Sequence, residues 1–294
     1  MATNSVDVEA MYERVKDLKR EDIKILQEWL KMQPHLPEIT ELQLILFLHS
    51  CYYSIEATKK CIDYFYTART HCPEFFKDRD PRKYVKKYEN FCNAPLPKLS
   101  PEGYGIMYTS IINTDPAYYD YEFQTKTSDM AMNLWLQQVG CLEGHVIILD
   151  YAGSTFAHLT KTNLTAIKKS LQYFQEGFPF RLKALHFCNP PPFLDSLINL
   201  LKPIISKELF NMIHVHQRND LTKSIPADCL PDAVGGTLSK KEIHANVIKN
   251  LLENADYFVE DEKKCSDESK RPGKPKNASD LFGVEGTFKK LDID

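Results

Sequence analysis

Eight cysteines are present, but no two are spaced as Cys-x-x-Cys, so neither a zinc ribbon nor a thioredoxin-like site is indicated. No Gly-x-Ser-x-Gly elbow occurs; the nearest string is Gly153-Ser154-Thr155. Gly273-Lys274 lacks the upstream glycine of a phosphate-binding loop, and Gly103 and Gly105 lack the third glycine of a dinucleotide fold. Three common enzyme classes lose support together, and no catalytic residue is assigned. No apolar run exceeds Leu44–Leu48, far short of the roughly 20 residues that cross a bilayer. The first 16 residues carry Asp7, Glu9, Glu13 and Arg14 and no apolar signal core, which makes reduced thiols in the cytoplasm the expectation. Without such a signal, the Asn163 and Asn277 sequons read as chance matches. The formal charge of −3 gives no reason to expect a nucleic-acid partner; a membrane or phosphate contact would need a local basic patch.

What is there is an ordinary globular composition, 43% hydrophobic and 26% charged, over 294 residues. Residues 1–80 read as a helical module. Ile23, Leu26, Trp29 and Leu30 repeat at helical spacing, Leu42–Leu48 forms a second apolar stretch, and Ser54 caps a third helix with Ile62, Phe65 and Tyr66 on its stripe. Pro73 and Pro81 are expected to end it. From about residue 90 to 260 the pattern becomes strand, helix, strand. Strands are expected at 104–112, 145–150, 178–188 and 212–216, with helices at 127–139, 162–175, 193–205 and 239–259. Such alternation implies an α/β domain with parallel strands joined by right-handed crossovers. Residues 261–294 read as a charged, mobile linker whose apolar end, Leu281, Phe282, Val284, Phe288, Leu291 and Ile293, docks back.

Two features point to an apolar ligand. Along the strand expected from Phe178, one face carries Phe178, Phe180 and Leu182 and the other carries Arg181 and Lys183, a dry and a wet side. The helix from Phe193 is apolar around most of its girdle, including Leu197, Leu201 and Ile205. Either it is a buried core helix, or one side faces the body and another faces a bound lipophile. The Pro190-Pro191-Pro192 entry and Pro203 bracket it so that it can move as a unit. Arg181, Lys183, Lys202 and Lys207 make either a phosphate- and membrane-contacting cluster or a solvated face. His214 and His216 share a strand face, but no third ligand is spaced to join them, so no metal is expected. For His158, in a loop, a local hydrogen-bonding role is the simpler reading.

Taken in order, Gly144–Asp150, Gly153, Phe156, His158, Lys168-Lys169, Phe178-Pro179, His186–Pro190, Lys202-Pro203, Ile213–His216, Leu230-Pro231 and Gly235-Gly236 resemble the CRAL-TRIO family, in particular its α-tocopherol transfer protein-like and retinaldehyde-binding members. Gln33–Pro37 and Phe47-Leu48 resemble that family's N-terminal helical module. The resemblance implies a βαβ sheet floor, a lipophilic cavity and a mobile gate helix. It places cavity positions at Ala131, Trp135, Leu149, Phe156, Tyr173, Phe174, Phe178, Phe180 and Leu182, and gate positions at Leu197, Leu201 and Ile205. Tyr173 or Ser170 is expected to orient a polar head. Arg181 and Lys183 fit the family's phosphoinositide cluster, whereas Glu208, Met212 and His49 depart from it. The expectation is a monomeric, non-enzymatic carrier without cofactor or metal, binding a tocopherol-, retinoid- or other isoprenoid-like lipid and touching membranes transiently. The alternative is a phosphoinositide-binding regulatory or protein-interaction module on the same fold.

Overall fold

The computed structural model describes residues 2, 4–217 and 220–283. The chain begins with α1 (Val8–Arg14), α2 (Arg20–Lys31), α3 (Glu41–Ser50) and α4 (Ile55–His71), followed by two short helices, α5 (Pro73–Phe76) and α6 (Val85–Tyr88). Local chemistry sets these starts. The Thr40 hydroxyl and the Gln43 side chain form a capping box ahead of α3, and the Ser54 side chain accepts from Ala57 N at the head of α4. As the sequence led us to expect, α4 ends just before Pro73, at His71. Pro73 itself sits in the first turn of α5, where its missing N–H costs nothing.

The α/β part follows as β1 (Phe91–Pro95), β2 (Tyr104–Ile111), α7 (Tyr121–Val139), β3 (Gly144–Asp150), α8 (Phe156–Thr160), α9 (Leu164–Glu176), β4 (Leu182–Cys188), α10 (Leu194–Leu201), α11 (Lys207–Asn211) and β5 (Ile213–His216). The strands form one sheet in the order β1-β2-β3-β4-β5. β1 runs antiparallel to β2, and the other neighbours are parallel. β1 escapes a pattern search because it is short and holds Asn93 and Pro95; an edge strand tolerates proline. The chain closes with α12 (Lys240–Glu253), α13 (Ala255–Asp261) and α14 (Ala278–Phe282).

Three elements differ from expectation. β4 begins at Leu182, because Phe178-Pro179-Phe180 turns, with Phe180 N donating to Phe178 O at 2.8 Å. The helix expected over 193–205 stops at Leu201. Pro203 has no N–H to continue it, and Ser206 then caps α11 through Leu209 N. The helix expected over 239–259 breaks at Asn254, whose Nδ2 turns back to donate to Asn250 O.

Residues 261–283 are packed rather than a free linker. Arg271 Nη1 donates to Asp63 Oδ1 at 2.7 Å, and Ser266 N donates to Tyr66 O. Phe282 is fully buried beside Tyr64. Fixed partners on α4 outweigh the polar composition of this stretch. Val284, Phe288, Leu291 and Ile293 lie outside the described residues. Asn163 and Asn277, the two sequon residues, cap α9 and α14.

A buried ionic hub joins the helical start, the sheet domain and α13. Arg69 Nη2 meets Asp261 Oδ2 at 2.7 Å, Arg79 Nη2 meets Asp129 Oδ2 at 2.7 Å, and Arg79 reaches Asp261 at 3.6 Å. Burial pushes the Asp261 carboxyl up, and Arg69 and Arg79 more than reverse this, leaving it below the usual carboxylate range.

Candidate ligand cavity

Side chains along a strand alternate between faces, so parallel strands in register line up rows of residues across one face. Met107 pairs with Ile147, Ile147 with Leu185 and Leu185 with Ile213; Thr109 pairs with Leu149 and Leu149 with Phe187. These two rows floor a cavity of about 650 Å³. That volume lies within the range of small-molecule sites, roughly 300–1,000 Å³. Met132, Ile167, Leu171 and Phe174 wall it from α7 and α9, while Leu197, Ile198 and Leu201 of α10 cover it. Only Leu194 of α10 is buried, and Leu200 faces outward and is exposed. α10 is therefore not a core helix: one side faces the cavity and the other faces solvent.

Of the expected positions, Leu149, Phe174, Phe180, Leu182, Leu197, Leu201 and Ile205 line this cavity, and Ala131, Trp135, Phe156, Tyr173 and Phe178 do not. Ala131 is buried in the core. Trp135 packs edge-on to His145 and fills the space that a Cβ on Gly105 would occupy, 2.4 Å away. Phe178 joins Phe65 and Tyr173 in the core rather than sharing a strand face with Phe180. Phe156 is 54% exposed, on the outer side against Phe193. Tyr173 is fully buried, with its hydroxyl already engaged. Ser170 does line the cavity, paired with the Tyr121 hydroxyl at 2.6 Å.

Arg181 was expected on the wet face and is instead buried at the cavity wall, 9% exposed. Its guanidinium lies over the rings of Tyr52 and Tyr53, and Nε donates to His49 O at 2.5 Å. Burial and the neighbouring Arg181 charge hold His49 neutral, its pKa lowered to about 3. Lys183 donates to the Tyr52 hydroxyl at 3.2 Å. Lys202 and Lys207 are exposed at the α10–α11 corner and do not line the cavity. Glu208 and Met212 do.

Several wall residues were missed. Tyr119, Tyr121, Tyr151 and Thr162 make one end of the cavity polar. His158, expected in a loop with a local hydrogen-bonding role, lies in α8, where its Nδ1 accepts from Thr155 N, and it also lines this end. The alternation Met107-Thr109-Ile111 on β2 was the signal for the floor; nothing in the spacing signalled the tyrosines. A third imidazole, His186, does join His214 and His216: its Nδ1 lies 2.7 Å from His216 Nε2, and its ring stacks on His214. Even so, among the described residues no group of three or more His, Cys, Asp or Glu has the arrangement of a metal site. The eight cysteines are all free thiols. Among the described residues no helix is long and apolar enough to cross a membrane.

A mixed sheet flooring an apolar cavity under an amphipathic helix is the architecture of a small-molecule-binding α/β domain. Residues 95–236 match the CRAL/TRIO domain, and residues 15–84 match the Pinta-like UBA domain. The chain carries a CRAL/TRIO domain behind a helical N-terminal region. It is similar to the human alpha-tocopherol transfer protein-like protein, 22% identical over 246 residues, covering 82% of this chain and 71% of that protein. It is similar over a shorter stretch to clavesin-1 of Xenopus laevis, 29% identical over 99 residues, 33% of this chain and 30% of that one. The solved structure of Sfh5 aligns with a TM-score of 0.48 at 11% identity, covering 83% of this chain and 98% of that chain.

Proposed function

We propose that this protein binds one hydrophobic small molecule, a tocopherol-, retinoid- or other isoprenoid-like lipid, and carries it between membranes in the cytoplasm as a monomer, without catalysis. The observation that carries the reading is the cavity of about 650 Å³, floored by the two registered apolar rows and covered by α10. A ligand burying roughly 400 Å² there gains on the order of 10 kcal/mol before ordering costs, so hydrophobicity alone suffices for tight binding. The name of the human relative supports lipid transfer as the activity.

In this reading α10 is the gate. Its solvent side and the following corner present exposed Leu200 and Phe210 beside Lys202 and Lys207, a composition suited to brief contact with an anionic membrane surface. Lys183 supplies a further cation beside Tyr52, which lines the cavity. Arg181, buried and held by His49 O, contributes to the cavity wall rather than to an open phosphate site. Titration with a fluorescent lipophile tests the proposal. Leu201→Asp places a carboxylate in the apolar lining and is expected to weaken uptake at least tenfold, the desolvation cost being several kcal/mol. Unchanged uptake by Leu201→Asp would remove α10 from the site.

A further inference from the structure

The segment that covers the cavity is tied to the body of the protein by one polar side chain. No residue from Pro190 to Asn211 belongs to the hydrophobic core cluster. Among the described residues, Asp195, Lys202, Lys207 and Glu208 enter no ion pair. Gln175, near the end of α9, reaches across to the corner that follows α10. Its Oε1 accepts from Ser206 N at 2.8 Å. Its Nε2 donates to Ile204 O at 3.4 Å and to Leu171 O, one turn back on α9, at 3.1 Å. A backbone N–H only donates, so the amide oxygen must face Ser206, which turns the NH2 group toward the two carbonyls. Among the described residues these are the only side-chain hydrogen bonds between the body and residues 194–211. They fall on a joint. Pro203 has stopped α10, and the Ser206 hydroxyl accepts from Leu209 N to start α11.

We infer that Gln175 is the latch of the cavity: it holds the α10–α11 corner shut and thereby sets how fast a ligand enters and leaves. The inference rests on the carrier reading and specifies what times its exchange. Gln175 is a positioning residue, acting on the gate through Ser206 and Ile204. Ser206 is exposed and Gln175 half-buried, so opening the corner hands both groups to water and strands no buried polar atom. The latch therefore releases at low cost, as a gate that must open repeatedly requires. Its bonds are made whether or not the cavity is filled. A contact made equally in the free and the loaded protein cannot change affinity; it changes only the fraction of time spent open. Loading and release then slow by the same factor, about threefold to tenfold for a hydrogen-bonded pair of this kind.

The test follows 1-dodecylpyrene fluorescence as the full chain takes the probe from phosphatidylcholine vesicles and returns it to them. Gln175→Leu keeps the side-chain bulk and removes every hydrogen bond. It is expected to speed loading and release alike, by about threefold to tenfold, with the dissociation constant unchanged within about twofold. Gln175→Glu keeps an oxygen for Ser206 N and is expected to stay nearer the wild type. Rates unchanged by Gln175→Leu overturn the latch. Weaker binding with loading unchanged also overturns it, because Gln175 would then be a ligand contact. No uptake of the probe by the wild type overturns the carrier reading itself. Amide hydrogen exchange in the unloaded wild type tests the latch without any variant or ligand. Ser206 N–H precedes the first turn of α11 and has no backbone partner, so Gln175 is its protection. Exchange at Ser206 slower than in an unfolded chain is expected; exchange at the unfolded-chain rate overturns the inference.

Discussion

The Tyr173 hydroxyl donates to Asp129 Oδ1 at 2.7 Å, and the other oxygen of that carboxylate receives Arg79 Nη2 at the same distance. All three side chains are fully buried. Tyr173 therefore braces the hub instead of orienting a ligand. Tyr173→Phe is expected to leave lipophile uptake unchanged and to lower stability by about 1–3 kcal/mol. Asp129→Ala takes away the nearer carboxylate of buried Arg79, leaving only Asp261 at 3.6 Å, and is expected to cost more, about 3–5 kcal/mol. Chemical denaturation of the two variants, beside a binding titration, checks both.

Acid pH is expected to destabilise the fold before its paired carboxylates titrate. Burial, then Arg181, lowers the pKa of His49 to about 3, and burial, then His49, lowers that of His145 to about 3. Both rings stay neutral in the fold and take up a proton on unfolding once the pH falls below about 6.5. Stability is therefore complete above that value and declines toward pH 3, by about 1.4 kcal/mol per pH unit for each ring. Neither ring nitrogen of His145 has a hydrogen-bond partner among the described residues, and the ring stacks on Phe180 at 3.7 Å. His145→Phe should accordingly raise the melting temperature more at pH 5 than at pH 8. Equal shifts at the two pH values would count against a proton-linked cost.

Leu149 stands in the middle of the cavity floor, facing open volume rather than protein. Leu149→Trp is expected to occupy that volume, reducing lipophile binding at least tenfold while costing less than about 1.5 kcal/mol of stability. The same enlargement in a filled core costs typically about 1–3 kcal/mol. Isothermal titration and thermal melting report the two quantities separately.

Gly236 lets the chain close on itself after β5. A Cβ there would lie 1.9 Å from Leu230 O, and Gly236 N donates to Pro231 O at 2.9 Å. Because the obstacle is backbone, Gly236→Ala cannot be relieved by a rotamer change. A loss of stability of about 2 kcal/mol or more is expected, measurable by denaturant midpoint.

The sheet domain was legible because runs such as Val146–Leu149 and capped amphipathic stretches such as Ser54–Tyr66 carry their period in plain view. Leu197 and Leu201 were legible as apolar positions of a helix for the same reason, but only the family resemblance placed them at a cavity. What periodicity does not reveal is whether an apolar face meets protein or empty space. Phe178 and Phe180 look alike in sequence, yet Pro179 sits between them, and one ring goes to the core while the other goes to the cavity. Arg181 misled by its charge: a guanidinium reads as solvated until Tyr52, Tyr53 and His49 O are seen around it. The polar end of the cavity depends on residues as far apart as Tyr119 and Thr162, and only the tertiary fold brings them together.

Native mass spectrometry of the freshly purified chain tests the central claim most directly. The account predicts a population heavier than the polypeptide by the mass of one lipophile, released when α10 is disrupted by Leu201→Asp. A chain found only at its polypeptide mass, and taking up no lipophile when mixed with loaded vesicles, would contradict it.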